Sequence, residues 1–251
     1  MGSLRNSKYL VKYALTLQDV EDAQRLRHLA FRAKRGVNLD PQALDRDEFD
    51  DRCIHVLIRN ISSGELVCCF RLMVLSGGME LNNTYSAKYY GLSNLRSFDR
   101  PMVEMGRFCI RPGIADPAIM RLAWGAMAKF VDENGVEMLF GCSSFEGIDV
   151  ESHLDAFALL RERHLAPKRW LPKVKAPRVF RFGSLLRNRK ANRRAAMLKM
   201  PPLLKSYLGM GGWVSDHAVV DRDLSTLHVF TGLEISSIPR RRARLLRALA
   251  L

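Results

Sequence analysis

The chain has 251 residues, 47% of them apolar and 26% charged, which is ample for a sizeable hydrophobic core. No run approaches the roughly 18 uninterrupted apolar residues of a membrane-spanning helix, and no signal-peptide pattern opens the sequence, so a cytoplasmic location is expected. The formal net charge is +14, and it is concentrated: residues 161–200 carry 14 Lys or Arg against one acid, Glu162, a net +13 that leaves the remainder close to neutral.

In chain order, "KYLVKYAL" (8–15) predicts a first strand. Thr16 and Asp19 resemble a capping box. Behind them Val20, Ala23, Leu26, Leu29, Ala30 and Ala33 recur at helical spacing, and Gly36 is a natural stop. Residues 37–52 are acidic and irregular. "CIHVLIRN" and "LVCCFRLMVL", joined by "ISSGE", predict a hairpin. "YSAKYYGLSNLRS" (85–97) predicts a short helix.

"VEMGRFCI" (103–110) reads as a strand that carries Glu104 and Arg107 among apolar neighbours. Asp116 and Pro117 then open a helix whose stripe is Ile119, Leu122, Ala123, Ala126, Met127, Phe130 and Val131, closed by Gly135. "VEMLFGCSSF" (136–145) predicts a strand, 151–163 a helix, and 201–209 a short helix. "WVSDHAVV" and "TLHVFTGLEI" predict a final hairpin around "DRDLS". This order predicts an α/β chain with a mixed, mostly antiparallel sheet flanked by helices, with a basic insertion (163–200) before the last helix and hairpin. One domain is expected over 8–238, with a basic tail over 239–251.

Five cysteines, Cys53, Cys68, Cys69, Cys109 and Cys142, form no CxxC pair and have no His at ligand spacing. Reduced, buried thiols and no metal site are expected. Cys142, beside a strand expected at the active site, leaves a nucleophile role open. Met1-Gly2 is not followed by Ser or Thr at position 6, which is Asn6, so the myristoylation pattern fails.

The order resembles that of GNAT-type acyltransferases. "ALDRDEFDD", "VEMGRFCIRP", "LFGCSSFEGID", "PPLLKSYLGMGGWV" and "DRDLSTLHVF" resemble the signatures of the ornithine lipid-forming N-acyltransferases, over about Leu15 to Ile238. The first half is also similar to acyl-homoserine-lactone synthases, through the Arg-Phe-rich helix from Arg27 to Arg32, the acidic loop from Asp47 to Asp50, and the Glu-x-x-Arg strand. The resemblance implies transfer of a 3-hydroxyacyl chain from acyl carrier protein to the α-amine of ornithine, with no bound cofactor beyond the donor's 4'-phosphopantetheine arm. The loop "RPGIADPAIM" holds only Gly113, a poor pyrophosphate cradle, which favours the carrier protein over acyl-CoA. Glutamine or lysine in place of ornithine, a homoserine-lactone synthase, and a basic nucleic-acid-binding module are the alternatives. The basic block carries no helix-turn-helix, zinc-finger or RNA-recognition pattern, so no specific nucleic acid is expected.

The chemistry assigns expected roles. A largely protonated amine needs a base, and Glu104 is the candidate, at about 10²–10⁴-fold; the bland reading is a structural ion pair. Glu104 and Arg107 fall on opposite faces of a regular strand, so a bulge brings them together or Arg107 anchors another carboxylate. Backbone N–H groups of Phe108, Cys109 and Ile110 are candidates to polarise the thioester carbonyl. Ser143 and Ser144 are candidates to donate to the departing sulfur or orient the amine, or simply to bond at the strand end. Asp47, Asp50 and Asp51 are expected to hold the ammonium groups of ornithine, or to form a solvated turn. Arg71 or Arg107 is expected to fork onto the substrate carboxylate. Phe49, Phe70, Phe108 and Phe145 line an acyl tunnel or pack in the core.

The insertion interleaves Trp170, Leu171, Val174, Val179, Phe180, Phe182, Leu185 and Leu186 with its cations. It suits acidic carrier protein or an anionic membrane surface, where each cation is worth about 1 kcal/mol, or it is a solvated basic loop. "RRRARLLRALAL" is a second candidate for peripheral contact at the inner face of a membrane.

Overall fold

The computed structural model describes residues 4–32 and 43–249. Its elements in chain order are β1 (Tyr9–Tyr13), α1 (Leu17–Arg32), β2 (Ile54–Asn60), β3 (Leu66–Leu75), α2 (Ser86–Tyr89), β4 (Tyr90–Gly91), β5 (Met102–Ile110), α3 (Pro117–Glu133), β6 (Met138–Glu146), α4 (Leu154–Arg163), β7 (Lys173–Val174), β8 (Val179–Phe180), α5 (Phe182–Leu185), α6 (Arg193–Lys199), α7 (Pro202–Gly209), β9 (Trp213–Asp221), β10 (Thr226–Glu234) and α8 (Arg240–Ala248). They gather into two compact units. The first lies within Met1–Val74, Met105–Val136 and Arg240–Leu251, the second within Leu75–Glu104 and Glu137–Pro239. The stretch read as one domain over 8–238 is therefore built of two units, and β3 and β5 each contribute residues to both.

In the first unit the strand order is β1-β2-β3-β5. β1 runs antiparallel to β2, and β2 to β3, in register from Ile54↔Leu72 to Leu57↔Cys69. The hairpin turn closes through Gly64 at φ 71°, a conformation that suits glycine. At the start of α1 the Asp19 N–H donates to Thr16 Oγ1 at 3.2 Å as a capping box predicts, but the Asp19 carboxylate accepts the Leu15 N–H, one residue before the cap. It buries Ala23 and Leu26 against Leu57, Leu66, Cys69 and Cys109. Ala33 and Gly36, read as the end of this helix, lie outside the described residues, as do Met1, Gly2 and residues 37–42.

α3 carries its seven-residue apolar stripe inward, every member buried. Asp116 caps it by accepting the Ala118 N–H at 2.9 Å, Pro117 follows, and Gly135 at φ 57° turns the chain after it. The basic end of the chain is helical and docks on α3. Arg247 Nε and Nη2 donate to the two oxygens of Asp132 at 2.7 and 2.8 Å. A Cβ at Gly125 would stand 2.5 Å from the Leu249 carbonyl oxygen, so this approach needs a glycine.

In the second unit the strand order is β5-β6-β10-β9-β8. β5 pairs with β6 in parallel from Met102↔Met138 to Glu104↔Phe140, and the other pairings are antiparallel. A bulge between Val229 and Thr231 is bridged by the Phe230 N–H donating to Ser215 Oγ at 3.1 Å. One core joins Phe145, Phe157, Leu160, Phe182, Leu186, Ala196, Leu204 and Val229. Burying a Phe or Leu of this kind contributes about 1.5–3 kcal/mol.

The basic insertion is folded rather than a solvated loop. α5 and α6 lie on α4, Trp170 Nε1 donates to Glu234 Oε1 at 3.2 Å, and Asn94 Nδ2 donates to the Leu171 carbonyl at 2.9 Å. The helix predicted over 85–97 shortens to α2. Tyr90 leaves it to pair with Val174 as β4 on β7, and buries its ring beside His217, His228 and Phe230. Partners distant in sequence override the local helical pattern there.

Candidate active site

The first unit concentrates charge in its interior. Three arginines from three elements, Arg27 of α1, Arg71 of β3 and Arg107 of β5, meet Asp45, Asp47 and Asp50 of one loop. Arg27 grips Asp50 with Nη1 and Nη2, each at 2.8 Å, and reaches the Asp45 carboxylate with Nε at 2.9 Å and its carbonyl with Nη2. Arg71 Nη1 donates to Asp47 and Asp50 at 2.5 and 2.6 Å, and Nη2 to Asp47 at 2.8 Å. Arg107 Nη2 donates to Asp47 at 2.9 Å; its Nε lies 3.0 Å from Asp45 Oδ2, a charge contact without hydrogen-bond alignment.

Arg107 takes φ 53°, which breaks the regular strand. Of the two outcomes expected for it, this is the one in which it anchors other carboxylates. Burial opposes ionisation of Asp50, but the Arg27 and Arg71 guanidiniums outweigh it and hold its carboxyl well below the usual range. Burial likewise opposes ionisation of Asp47, and Arg71 and Arg107 outweigh burial and favour the carboxylate. Burial pulls His55 down; its Nε2 lies 3.1 Å from the Asp50 carbonyl.

This arrangement revises several expected roles. Asp47 and Asp50 are matched by arginines of the chain itself, so they do not present uncompensated charge to an ammonium. Arg71 forks onto Asp47, and Arg107 reaches Asp47 with Nη2 and lies by Asp45 with Nε. Asp51 is exposed. Phe49 is buried with the Arg71 guanidinium 5.7 Å from its ring centre, Phe108 stacks on Phe70 at 5.8 Å, and Ile110 is half-buried. Cys109 is a core thiol with its Sγ 3.5 Å from Cys69 Sγ; that contact and burial push it up.

The second unit holds Glu104. Its side chain is buried, with the residue 5% exposed, and both oxygens are anchored by backbone: Oε2 accepts the Tyr85 N–H at 2.9 Å and Oε1 the Ser86 N–H at 2.7 Å. The Ser86 hydroxyl lies 3.6 Å from Cys142 Sγ. Ser143 is buried and its Oγ accepts from Thr231 Oγ1 at 2.9 Å, whereas Ser144 is exposed. Phe145 belongs to the core, 4.9 Å from Phe157 and 5.2 Å from His153.

Sequence reasoning missed the pairing of Arg27 and Asp45 and the backbone anchor on Glu104. It also missed a buried polar cluster in which Tyr90 donates to the His228 carbonyl at 2.8 Å and contacts its Nδ1 at 3.1 Å. The available signal was Ser215, His217 and His228, buried polar residues on the two strands of the final hairpin. Among the described residues no group of three His, Cys, Asp or Glu is placed to hold a metal, and no helix is long and apolar enough to cross a membrane.

Residues 26–125 match the acetyltransferase (GNAT) domain family. Two solved structures align over nearly the whole chain. One is a CoA-dependent acyl-homoserine lactone synthase (TM-score 0.50, 10% identity, 96% of this chain and 94% of that one). The other is an N-acyl amino acid synthase from uncultured soil microbes (TM-score 0.50, 10% identity, 96% of each). At such identity they show the fold alone. The fold is thus of GNAT type and the chain is an acyltransferase. The L-ornithine N(alpha)-acyltransferase of Rhodobacter capsulatus is 33% identical over 230 residues, 88% of each chain, and that of Agrobacterium fabrum 28% over 235 residues, 89% and 80%. The chain belongs to the L-ornithine Nα-acyltransferase family.

Proposed function

We propose that this chain acylates the α-amine of ornithine, taking a 3-hydroxyacyl group from acyl carrier protein and yielding a single-chain aminolipid. The observation that carries the substrate assignment is the identity of 33% over 88% of both chains with the Rhodobacter capsulatus enzyme. The donor assignment is supported by the loop before α3, where a single glycine, Gly113 at φ 84°, offers little cradle for a pyrophosphate. The phosphopantetheine arm of a carrier protein presents one phosphate, and acidic carrier protein suits a chain of net charge +14.

Glu104 is the proposed base. The Tyr85 and Ser86 N–H groups fix the orientation of its carboxylate in advance. The amine loses its proton to this carboxylate as nitrogen attacks the thioester carbonyl, and the carbon–sulfur bond breaks as the thiolate leaves. Ser143, set by Thr231, is the proposed donor to that sulfur.

Purified protein incubated with 3-hydroxyacyl carrier protein and ornithine is expected to release free carrier thiol and Nα-acylornithine, read by thiol titration and mass spectrometry. Thiol release with glutamine or lysine but not ornithine would move the substrate; a lactone dependent on S-adenosylmethionine would make the chain a homoserine-lactone synthase. No release with any amino acid would reject the reading.

A further inference from the structure

The outward side of α5 and α6 is an unusual surface. Residues 181–199 contain seven cations and no acid: Arg181, Arg187, Arg189, Lys190, Arg193, Arg194 and Lys199, every one exposed. The acids bordering this stretch are engaged rather than buried: Glu162 is exposed, and Asp216, beside Gly183, lies 2.7 Å from His217 Nδ1. Asp155 accepts the Asn192 N–H at 3.1 Å and pairs with Arg189 at 3.4 Å, and Glu162 accepts the Ala191 N–H at 3.0 Å. The two helices bury Phe182, Leu186, Ala196 and Met200 in the core around α4. Yet they also carry large apolar side chains that face away from it: Leu185 is 67% exposed, Leu198 77% and Met197 41%.

Nothing in the fold needs those three side chains outside. A helix surface that must only be soluble carries polar groups there. Leucines standing clear among cations, on helices too short to bury them elsewhere, match the chemistry of a bilayer interface. Aliphatic side chains enter the acyl boundary while guanidinium and ammonium groups meet the phosphates. An acidic protein would be met by the cations alone, whereas the exposed leucines and methionine call for an apolar phase at the same place.

We propose that the outward face of α5 and α6 is a peripheral docking surface for an anionic lipid bilayer, with Leu185, Met197 and Leu198 inserting. The inference is independent of which amino acid is acylated and of the identity of the base.

The test is sedimentation of the full chain with vesicles of equal parts phosphatidylglycerol and phosphatidylcholine, against phosphatidylcholine alone. Wild type is expected to bind the anionic vesicles, and to lose binding as salt rises. L185S/L198S is expected to bind about tenfold more weakly or less, with thermal unfolding and transfer between soluble substrates unchanged. R193Q/R194Q is expected to weaken vesicle binding and flatten its salt dependence. Equal binding of wild type to both vesicle types, or undiminished binding by L185S/L198S, overturns the proposal. So does a rise in KM for carrier protein in either variant with vesicle binding intact, which would make the face a protein-docking surface.

Discussion

Arg27 and Asp50 form a two-pronged ion pair, 2.8 Å on each prong, in which the arginine is 1% and the aspartate 5% exposed. Neither prong faces solvent, and Asp50 is shared with Arg71. The pair ties α1 to the loop before β2 and, through Arg71, to β3. Removing Arg27 leaves three carboxylates facing two guanidiniums, one charge short of compensation. Arg27→Met is expected to lower unfolding free energy by about 3–5 kcal/mol, measured by urea denaturation. A loss below about 1 kcal/mol would mean that the network is not set as described.

Stability should fall in acid in two stages. Burial, with His217 beside it, lowers His228 from its ordinary 6.5 to about 3. Between those values the unfolded chain binds a proton that the folded chain refuses. The neutral imidazole therefore contributes stability that begins to be lost as pH falls below about 6.5, at up to about 1.4 kcal/mol per pH unit. Asp47 and Asp50, depressed below 3.8, keep their contribution above that value and lose it further down. Chemical denaturation from pH 7 to 3 should show the first slope, and His228→Asn should flatten it between pH 6.5 and 4. An unchanged slope in that variant would assign the effect elsewhere.

The C-terminal helix depends on one missing side chain. Gly125→Ala places a methyl group 2.5 Å from the Leu249 carbonyl oxygen and forces α8 outward, at a cost of about 1–3 kcal/mol. Trypsin should then cleave at Arg240 to Arg247 at least several-fold faster while α3 stays protected. Equal cleavage of variant and wild type would show that α8 does not rest on Gly125.

Much of this was legible in the residues, and the failures have physical causes. β3 is legible over its full span because "LVCCFRLMVL" is apolar at every position but Arg71, and α3 because its stripe, cap and terminal glycine agree. The stretch 85–97 misled because Tyr90 answers to β7 and to two histidines far along the chain. The acidic character of the loop is plain in the sequence, but composition does not reveal partners. Three arginines spaced over α1, β3 and β5 neutralise it, and only the fold brings them together. The same holds for Glu104: its place on a strand was readable, whereas the Tyr85 and Ser86 N–H groups that hold it were not.

The central claim is that Glu104 removes the proton of the attacking amine, and the rate of acyl transfer by Glu104→Gln as a function of pH tests it most directly. With 3-hydroxyacyl carrier protein and saturating ornithine, and with folding checked by thermal melting, turnover at neutral pH should fall about 10²–10⁴-fold. The deficit should shrink as pH rises past about 8, where the amine deprotonates unaided. A folded variant that keeps wild-type turnover at neutral pH, or one whose deficit is the same at every pH, would contradict the account.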